Sequence, residues 1–370
     1  MEKTKVCHLT SAHHPYDVRI FHKECRSLAE AGYDVTIIAP HANDEITDDI
    51  TIKAVGKYPT RLKRFLKTVL EVHAKAVDQK AALYHFHDPD LLPVSLALKL
   101  RGAKVIYDVH EDVPRQIMSK HWIPRPARKT ISIATEIFED IIAANLDAVI
   151  TATPYIQERF RKLNKNSFNI NNYPKLEELY DANSHDPTKE PVICYAGALS
   201  PERGLSQMIS AIEITRARLL IAGPVSGLGA DCATEKVHFL GMLARPQLRE
   251  LFAKSMAGIV VFHPEPNHVN AQPNKLFEYM SAGLPVIASA FPKWREIIDT
   301  TKCGICVDPL NPKEIAAAVE WIISNPGEAE VMGMRGREAV EKLYNWDREK
   351  EKLRQVYEGI CGRGNYPFSE

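Results

Sequence analysis

The sequence has 370 residues with 47 basic and 47 acidic side chains, so its formal net charge is zero. This length exceeds one ordinary hydrophobic core, and two domains are therefore expected. The balanced charge argues against a protein whose main partner is nucleic acid, because phosphate binding needs an excess of basic residues. The seven cysteines are odd in number and scattered, which favours a reducing compartment over a disulfide framework.

Apolar runs are short along the whole chain. None approaches the roughly 18 to 20 apolar residues of a membrane-spanning helix, and the first ten residues, MEKTKVCHLT, do not resemble a signal peptide. A cytoplasmic protein is therefore expected. Cys303 and Cys306 form a CxxC motif without a second pair or nearby histidines, so they are predicted to be core residues rather than a metal or redox site.

Predicted strands and helices alternate along the first half of the chain. The strands are KVCHLT, DVTIIAP, LYHFH, AKVIYDV and DAVITAT, and the helices between them include IFHKECRSLAEAG, ending at Gly32, LLPVSLALKLRG and PYIQERFRKL. This alternation indicates a parallel sheet with helices on both faces.

A polar segment at residues 175–191, KLEELYDANSHDPTKEP, is the expected linker, because the alternation restarts after it with VICYAGAL, ARLLIAG, KVHFLG, AGIVVF and PVIAS. The predicted fold class is α/β, with two doubly wound Rossmann-like domains facing across a cleft, since ligands of such sheets bind beyond the carboxyl ends of the strands. We expect the domains at residues 1–180 and 181–345, and an amphipathic helix, WDREKEKLRQVYEGI, within residues 346–370.

The segment PNKLFEYMSAGLP is a predicted helix with Pro273 at its first position and Gly283 at its end. Lys275 and Glu278 share one face near its start. One alternative is a surface ion pair worth well under about 1 kcal/mol. The other is a nucleotide site, because helix N–H groups and a lysine attract a diphosphate while a carboxylate accepts hydrogen bonds from a ribose.

The segment YAGALSPERGL at residues 195–205 has the strand, glycine loop and helix order of a phosphate-binding loop. Arg203, directly before Gly204, suits a forked contact with a diphosphate. The alternative is a plain surface arginine in a loop.

GALSPERG and PNKLFEYMSAGLPVIAS together resemble the donor half of family 4 glycosyltransferases, which are retaining, metal-independent sugar transferases of the GT-B fold. SAHHPYDVRIFHKECRSLAEAGYDVTIIAP, FHDPDLLP and VIYDVHEDVP resemble a branch of that family from bacterial surface-polysaccharide synthesis. The resemblance runs through nearly the whole chain. It implies an acceptor-binding N-terminal domain, a C-terminal domain that binds the nucleotide sugar (UDP-sugar favoured), and a last helix that returns to the first domain.

The resemblance also implies roles for single residues. Glu278 would bind the ribose, Arg203 and Lys275 the diphosphate, and His110 the donor sugar near the reaction centre. Catalysis would rest on His110, Arg203 and Lys275 without a metal or other cofactor. The implied donor-binding set is Gly197, Arg203, Asn270, Asn274, Lys275, Leu276 and Glu278.

Two positions depart from the family pattern. Ala198 stands where the family often has an arginine, and Asn270 stands where it has a glutamate. An asparagine still bonds sugar hydroxyls but carries no charge. Two alternatives to a transferase therefore stay open: a nucleotide-sugar epimerase, with Glu111 or Asp88 as acid and base, and a non-catalytic scaffold that binds nucleotide.

Polar side chains also follow the predicted strands of the first domain. His13, His14, Asp17 and Arg19 lie after the first strand, where Arg19 either pairs with Asp17 or faces the diphosphate or acceptor. Asp88 and Asp90 resemble an acidic metal pair, but with Pro89 between them Asp88 is predicted to cap a helix. The residues expected in the N-domain cleft are His14, Asp17, Arg19, His87 and Glu111.

Two basic segments with interspersed apolar residues, 61–70 and 121–130, fall in the predicted acceptor domain. Such runs are usually solvated helix faces. Our alternative hypothesis is a peripheral contact with an anionic membrane, at about 1 kcal/mol per basic residue. The expected partners are thus a nucleotide-sugar donor, a glycan or lipid-linked acceptor and the inner face of a membrane, and no nucleic acid.

Overall fold

The computed structural model describes residues 3–58, 60, 63–120, 122–181, 190–226 and 232–362. The chain divides into two compact units, Met1–Asn172 with Asp347–Glu370, and Tyr173–Trp346. The division falls before the boundary predicted at residue 180. The predicted linker therefore starts inside the second unit and contains a helical turn, while its residues 182–189 lie outside the described part of the chain.

The first unit is built on one eight-stranded sheet. Its strands are β1 (Lys5–Leu9), β2 (Asp34–Pro40), β3 (Glu45–Thr47), β4 (Ile50–Val55), β5 (Leu83–Phe86), β6 (Lys104–Val109), β7 (Ala148–Thr151) and β8 (Ser167–Asn169). Their order is β3-β4-β2-β1-β5-β6-β7-β8, parallel except for the antiparallel pair β3 and β4. The central strands are buried on both faces, which is why they form near-continuous apolar runs.

Helices connect these strands. They are α1 (Ile20–Cys25, π-helical, continuing as Arg26–Glu30), α2 (Arg64–Thr68 continuing as Val69–Gln79), α3 (Leu92–Leu100), α4 (Val113–Met118), α5 (Arg125–Ala143) and α6 (Pro154–Phe160). The alternation of strand and helix predicted for this half is confirmed, since the predicted helices fall on α1, α3 and α6.

The second unit holds a six-stranded parallel sheet. Its strands are β9 (Val192–Ala196), β10 (Arg218–Ala222), β11 (Val237–Gly241), β12 (Ala257–Val260), β13 (Val286–Ser289) and β14 (Gly304–Val307), in the order β11-β10-β9-β12-β13-β14. Its helices are α7 (Leu176–Leu179), α8 (Leu205–Glu213), α9 (Arg245–Lys254), α10 (Pro266–Val269), α11 (Asn274–Ser281), α12 (Pro292–Thr301), α13 (Pro312–Ser324) and α14 (Pro326–Lys342).

The last helix, α15 (Trp346–Ile360), has the bounds predicted from the sequence. Apart from its first residue it belongs to the first unit. Tyr357 of this helix is buried, and its hydroxyl lies 2.8 Å from Nδ1 of His85 and 3.1 Å from Nε2 of His8. The helix thus closes over strands β1 and β5.

Each sheet has one point at which the strand order reverses. In the first unit it lies between β1 and β5, and in the second between β9 and β12. Loops that follow such strands diverge and leave room for a ligand at the carboxyl ends. The candidate site of each unit is therefore at this edge.

Some local predictions were wrong or incomplete. Strands β3, β4, β8 and β14 were not predicted. Pro273 is extended and precedes helix α11 instead of being its first residue. Gly283 does end this helix with a positive φ of 74°, and the N–H groups of Gly283 and Leu284 bond back to Met280 and Tyr279. Cys303 and Cys306 are free thiols, the first buried and the second half-buried.

Candidate active site

The loop after β9 brings Gly197 against Lys275 at the start of α11. Gly197 has a φ of 124°, and a Cβ built on it would lie 2.7 Å from both Cε and Nζ of Lys275. The lysine ammonium lies 5.2 Å from the ring centroid of Tyr195 and 5.5 Å from that of Phe262. The ammonium therefore lies at the carboxyl end of β9, against the backbone of Gly197 and near two aromatic rings whose faces attract a cation.

Arg203 reaches the same aromatic ring from the other side of the loop. It ends the short turn Pro201–Arg203, its Nη1 donates to the carbonyl of Ala198 at 2.7 Å, and its guanidinium lies 5.6 Å from the Phe262 centroid. The Tyr195 hydroxyl donates to the same carbonyl at 2.9 Å. Ala198 lacks the arginine side chain that the family often has at this position, but its backbone carbonyl accepts the hydrogen bond that positions Arg203.

The two cations repel each other in a partly desolvated environment. Burial and then the charge of Arg203 lower the pKa of Lys275 to about 8, although the nearby Glu278 opposes the shift. Within the described ranges, neither Lys275 nor Arg203 forms an ion pair. Two cations around one ring without a carboxylate between them make a site suited to a multiply charged anion.

Glu278 has a partner that the sequence did not indicate. Its Oε1 accepts from Nη1 of Arg245 at 2.7 Å, and the same guanidinium bonds both carboxylate oxygens of Glu178 at 2.7 Å. The expected alternative of a surface pair between Lys275 and Glu278 is therefore wrong. Arg245 lies at the start of α9, and no motif at that position marked it.

The other predicted donor residues occupy three kinds of environment. Asn274 is exposed at the first position of α11, and Asn270 is half-buried directly after the short helix α10. Leu276 is buried in the core, and its N–H donates to the carbonyl of Pro273, so its side chain packs within the second unit and does not line the surface near Lys275. His268, which was not predicted, lies 5.0 Å from the Phe262 ring, and burial lowers the pKa of its imidazole.

The candidate site of the first unit begins with Asp88. Its Oδ2 accepts from the Thr10 hydroxyl at 2.6 Å and the Ser11 N–H at 2.7 Å, while Oδ1 lies 3.1 Å from Nδ1 of His13. Asp88 does precede the short turn at Pro89, but its side chain does not cap that turn, so this prediction was wrong. Asp88 instead fixes the loop after β1.

The pair of His13 and Asp88 is charged at neutral pH. Burial opposes protonation of His13, but the Asp88 carboxylate outweighs it and raises the pKa of His13 to about 9. Burial would raise the pKa of Asp88, but hydrogen bonds from His13, Thr10 and Ser11 hold it well below its usual range. His13 is therefore an imidazolium paired with the Asp88 carboxylate.

Arg19 is buried and is bonded on all sides. Its Nε and Nη2 donate to Asp108 at 2.9 and 2.8 Å, and its Nη1 donates to the carbonyl of Ile170 at 2.9 Å. Asp17 instead accepts from the backbone N–H groups of Arg19 and Ile20 at the start of α1. Both predicted roles of Arg19 are therefore wrong, and its guanidinium is a structural cation.

Asp108 connects this cation to two histidines. Its Oδ2 lies 2.9 Å from Nε2 of His110 and 3.2 Å from Nδ1 of His87. Burial would raise the pKa of Asp108, but Arg19 and then His110 hold it well below its usual range. His110 is half-buried and His87 is fully buried, and burial lowers the pKa of His87 to about 4. His110 is thus the member of this group that reaches the surface.

Two predicted residues of the N-domain set do not join this cluster. His14 is exposed, and its Nδ1 accepts from the Tyr16 N–H at 3.2 Å. Its neighbour His13 lies beside His110 instead, with ring centroids 5.2 Å apart. Glu111 is exposed and accepts a hydrogen bond from the Gln116 amide.

Two sequence models of known families match the chain. The model described as Glycosyltransferase Family 4 covers residues 18–167, and the one described as Glycosyl transferases group 1 covers residues 177–339. A curated relative, an uncharacterized glycosyltransferase of Methanocaldococcus jannaschii, is 30% identical over 181 residues. That alignment spans 45% of this chain and 45% of the relative, so less than half of the relative's length is matched.

Solved structures extend the likeness of the fold to the whole chain. Sucrose-phosphate synthase from Thermosynechococcus elongatus has a TM-score of 0.80 at 20% identity, over 98% of this chain and 100% of that one. Anabaena HepE in complex with UDP-glucose has a TM-score of 0.73 at 14% identity, over 96% of this chain and 99% of that one.

Two Rossmann-like units, each with charged side chains at the point where its strand order reverses, are the architecture of the GT-B fold, which the chain shares with these solved structures. The two family models together cover most of the chain. The protein belongs to the family 4 type of GT-B glycosyltransferases, as the sequence motifs indicated.

Proposed function

We propose that this protein is a retaining hexosyltransferase that moves a sugar from a nucleoside-diphosphate sugar, with UDP-sugar favoured, to a glycan or lipid-linked acceptor in the synthesis of surface polysaccharide or another glycoconjugate. The observation that carries the proposal is the pair of cations, Lys275 and Arg203, around the Phe262 ring at the end of β9. A diphosphate supplies the negative charge that this pair lacks.

In this proposal the nucleotide binds to the second unit. Lys275, Arg203 and the N-terminus of α11 hold the diphosphate. Glu278 accepts hydrogen bonds from the ribose diol. Its bond with Arg245 keeps the Glu278 carboxylate in place.

The proposed reaction breaks the bond from the anomeric carbon to the phosphate oxygen and forms a bond to the acceptor oxygen on the same face. The leaving diphosphate takes the acceptor proton, so no protein nucleophile takes part. Lys275 and Arg203 stabilise the charge that develops on the leaving group, and such preorganised groups typically contribute about 100-fold each. His110, held by Asp108, orients the sugar and stabilises its positive character. We propose that the transfer needs no metal, because these two cations neutralise the charge of the diphosphate.

UDP is the favoured nucleotide because the structure of HepE, which has a similar fold, contains UDP-glucose. The test is incubation with UDP-glucose and a panel of acceptors, with detection of released UDP and determination of the anomeric configuration of the product. A product of retained configuration supports the proposal, whereas an inverted product contradicts it. Conversion of the sugar of UDP-glucose into its epimer without an acceptor would instead support the epimerase. Binding of UDP without turnover would support the non-catalytic scaffold, the alternative that Ala198 and Asn270 favour.

We further propose that the first unit docks on the cytoplasmic face of an anionic membrane, where a lipid-linked acceptor would lie. None of the described helices is long and apolar enough to cross a membrane. Helix α5, however, has a wide exposed apolar face, and each large side chain on it is between 41% and 61% exposed. These are Ile131, Ile133, Ile137, Phe138 and Ile141.

Charge at one end of the face favours anionic lipid over another protein surface. Arg125 and Lys129, at the start of α5, are exposed, and the nearby Trp122 is 61% exposed. Cations beside an apolar face suit lipid phosphates, and tryptophan suits the interface. Of the two basic segments in the prediction, residues 61, 62 and 121 lie outside the described residues, while Lys63 and Lys67 are exposed.

Co-sedimentation with vesicles tests this docking. We expect binding to vesicles that contain phosphatidylglycerol and much weaker binding to neutral phosphatidylcholine vesicles. Ile137→Asp should abolish binding, whereas Ile214→Asp, a matched change of an exposed isoleucine in the second unit, should retain it. Equal binding to both vesicle types, or self-association that Ile137→Asp abolishes, would contradict a membrane role.

A further inference from the structure

We propose that His8, Glu24, His85 and His87 bind one zinc ion inside the first unit. These residues come from β1, from α1, from β5 and from the position directly after β5, and all four are fully buried. The site is independent of the proposed diphosphate site, whose residues belong to the second unit.

The geometry suits a four-coordinate ion. One ligand atom from each residue lies within 4.8 Å of the other three. His8 Nδ1 and His87 Nε2 are 2.9 Å apart, and Oε2 of Glu24 lies 4.0 Å from the first and 3.9 Å from the second. Tetrahedral zinc with bonds of about 2.0–2.1 Å separates its ligand atoms by about 3.3 Å. The three separations among His8, His87 and Glu24 bracket this value, and the ligand atom of His85 lies within 4.8 Å of each, so side-chain movements can bring the four atoms to it.

Two of the four side chains have buried polar atoms without a hydrogen bond among the described residues. They are both carboxylate oxygens of Glu24 and Nε2 of His85. Nε of Arg19 does lie 3.0 Å from Oε1 of Glu24, but its hydrogen points to Asp108. Buried polar groups without partners destabilise the folded state, and charged ones do so most, so they require an explanation. A metal ion that accepts electron pairs from all of them provides one.

The balance of buried charges also favours a cation at this site. Among the residues that the structure describes, Arg19 is the one permanent cation in contact with the two fully buried carboxylates, Glu24 and Asp108. Two N–H groups of Arg19 already donate to Asp108. One carboxylate is therefore left without an equivalent cation. A second explanation is a proton shared between Glu24 and Asp108, which neutralises the same charge. That explanation leaves Nε2 of His85 without a partner, whereas zinc binds it.

The groups around the cluster orient it as metal ligands require. Nδ1 of His87 lies 3.2 Å from Asp108, which favours a proton on Nδ1 and leaves Nε2 for the ion. The Tyr357 hydroxyl contacts Nε2 of His8 and Nδ1 of His85. Its oxygen has two lone pairs and can accept an N–H from each ring, which leaves His8 Nδ1 and His85 Nε2 for the ion.

Three imidazoles and one carboxylate are ligands that zinc prefers, and four protein ligands leave no open coordination position. The ion would therefore be structural. It would join β1, β5 and α1 near the loop that carries Asp88, and helix α15 would support it through Tyr357. Because the ligands are buried, we expect zinc to be taken up during folding and released slowly.

The test is the metal content of the full-length protein, expressed in medium supplemented with zinc and freed of tags. We expect zinc equimolar with the chain by mass spectrometry of the digested protein. Glu24→Gln should lose the zinc and lower the melting temperature, whereas His41→Gln, a histidine of the same unit outside the cluster, should keep both. Zinc that persists in Glu24→Gln would contradict this site.

The two explanations predict opposite effects of Glu24→Gln on stability. If Glu24 carries a shared proton, glutamine replaces a neutral acid, and the melting temperature should stay equal or rise. A metal-free wild-type protein that is folded, with a melting temperature unaffected by refolding with zinc, would overturn the proposal. If Glu24→Gln does not fold, the wild-type protein grown with cobalt decides, because a tetrahedral site with three imidazoles gives strong visible absorption and its absence contradicts the site.

Discussion

Lys275 and Gly197 contact each other so closely that the lysine would have to move to admit a side chain at position 197: a Cβ there would lie 2.7 Å from Cε and Nζ of Lys275. The φ of 124° at Gly197 is also a backbone conformation that any other residue would adopt only with strain. A lysine held this tightly beside Arg203, with its pKa lowered by burial, lowers the stability of the free protein. The cost is consistent with a group kept in place for an anionic ligand.

Replacing Lys275 by methionine should therefore separate stability from binding. We expect Lys275→Met to raise the free energy of unfolding at pH 7 by about 1–3 kcal/mol, because it removes a desolvated charge and its repulsion by Arg203. The same variant should lose nucleotide binding. Urea unfolding and calorimetric titration with UDP measure the two effects. Lys313→Met on the exposed surface should change neither, and a destabilised Lys275→Met that still binds UDP would refute the assignment.

The pKa of Lys275 also predicts a pH dependence. Its folded pKa of about 8 lies below the ordinary value of 10.5, so the unfolded chain binds more protons between these values. The destabilisation is fully present below about pH 8 and is relieved as the pH rises towards 10.5. The stability of the wild type relative to Lys275→Met should thus increase over this range. UDP affinity should fall above about pH 8, and an affinity independent of pH from 7 to 9.5 would argue against an ammonium contact.

Arg203 is predicted to act mainly on the transition state. We expect Arg203→Ala to lower turnover by about 100-fold or more and donor affinity by much less, because charge on the leaving phosphate grows as the bond breaks. Steady-state kinetics together with the dissociation constant of UDP separate the effects. Arg216→Ala, an exposed arginine paired with Glu320, is the control. A loss of affinity with unchanged turnover would mean uniform binding instead.

The buried pair of Arg19 and Asp108 should dominate the stability of the first unit. Asp108→Asn removes the carboxylate to which two N–H groups of the buried Arg19 guanidinium donate, although Glu24 stays beside Arg19, and we expect a loss of about 3–5 kcal/mol. Asp48→Asn, which alters an exposed pair with Arg26, should cost less than about 1 kcal/mol. Chemical unfolding of both variants measures the difference. Similar small losses in both would show that the Arg19 pair is not critical.

Periodicity predicted the buried strands well, because each is an apolar run bounded by polar residues. Periodicity did not predict the more exposed or shorter strands. β3 and β4 are partly exposed and mix polar with apolar residues, and β14 contains only four residues with a glycine and a cysteine. Pro273 was misplaced by one position because proline suits both the residue before a helix and the first residue within it.

The site was predicted only as far as local motifs reach. Lys275 and Arg203 were predicted as candidates because each lies in a glycine-containing loop or at a helix start, and the structure places both near the Phe262 ring. The partners of Glu278 and Arg19 were not, because Arg245 and Asp108 are distant in sequence and come close only through the sheet order. A charged residue next to an apolar run, such as Arg19 before IFHKEC, gives no signal that distinguishes a buried structural cation from a ligand contact.

The central claim is that Lys275 and Glu278 hold one nucleotide at the end of β9, and thermal unfolding with UDP, GDP, ADP and dTDP tests it most directly. A ligand at about 100 times its dissociation constant adds roughly 2.7 kcal/mol to stability. We predict a rise in melting temperature with one nucleotide, lost in Glu278→Ala and retained in Glu178→Ala, which alters the other partner of Arg245. No rise with any of the four nucleotides would contradict the donor site.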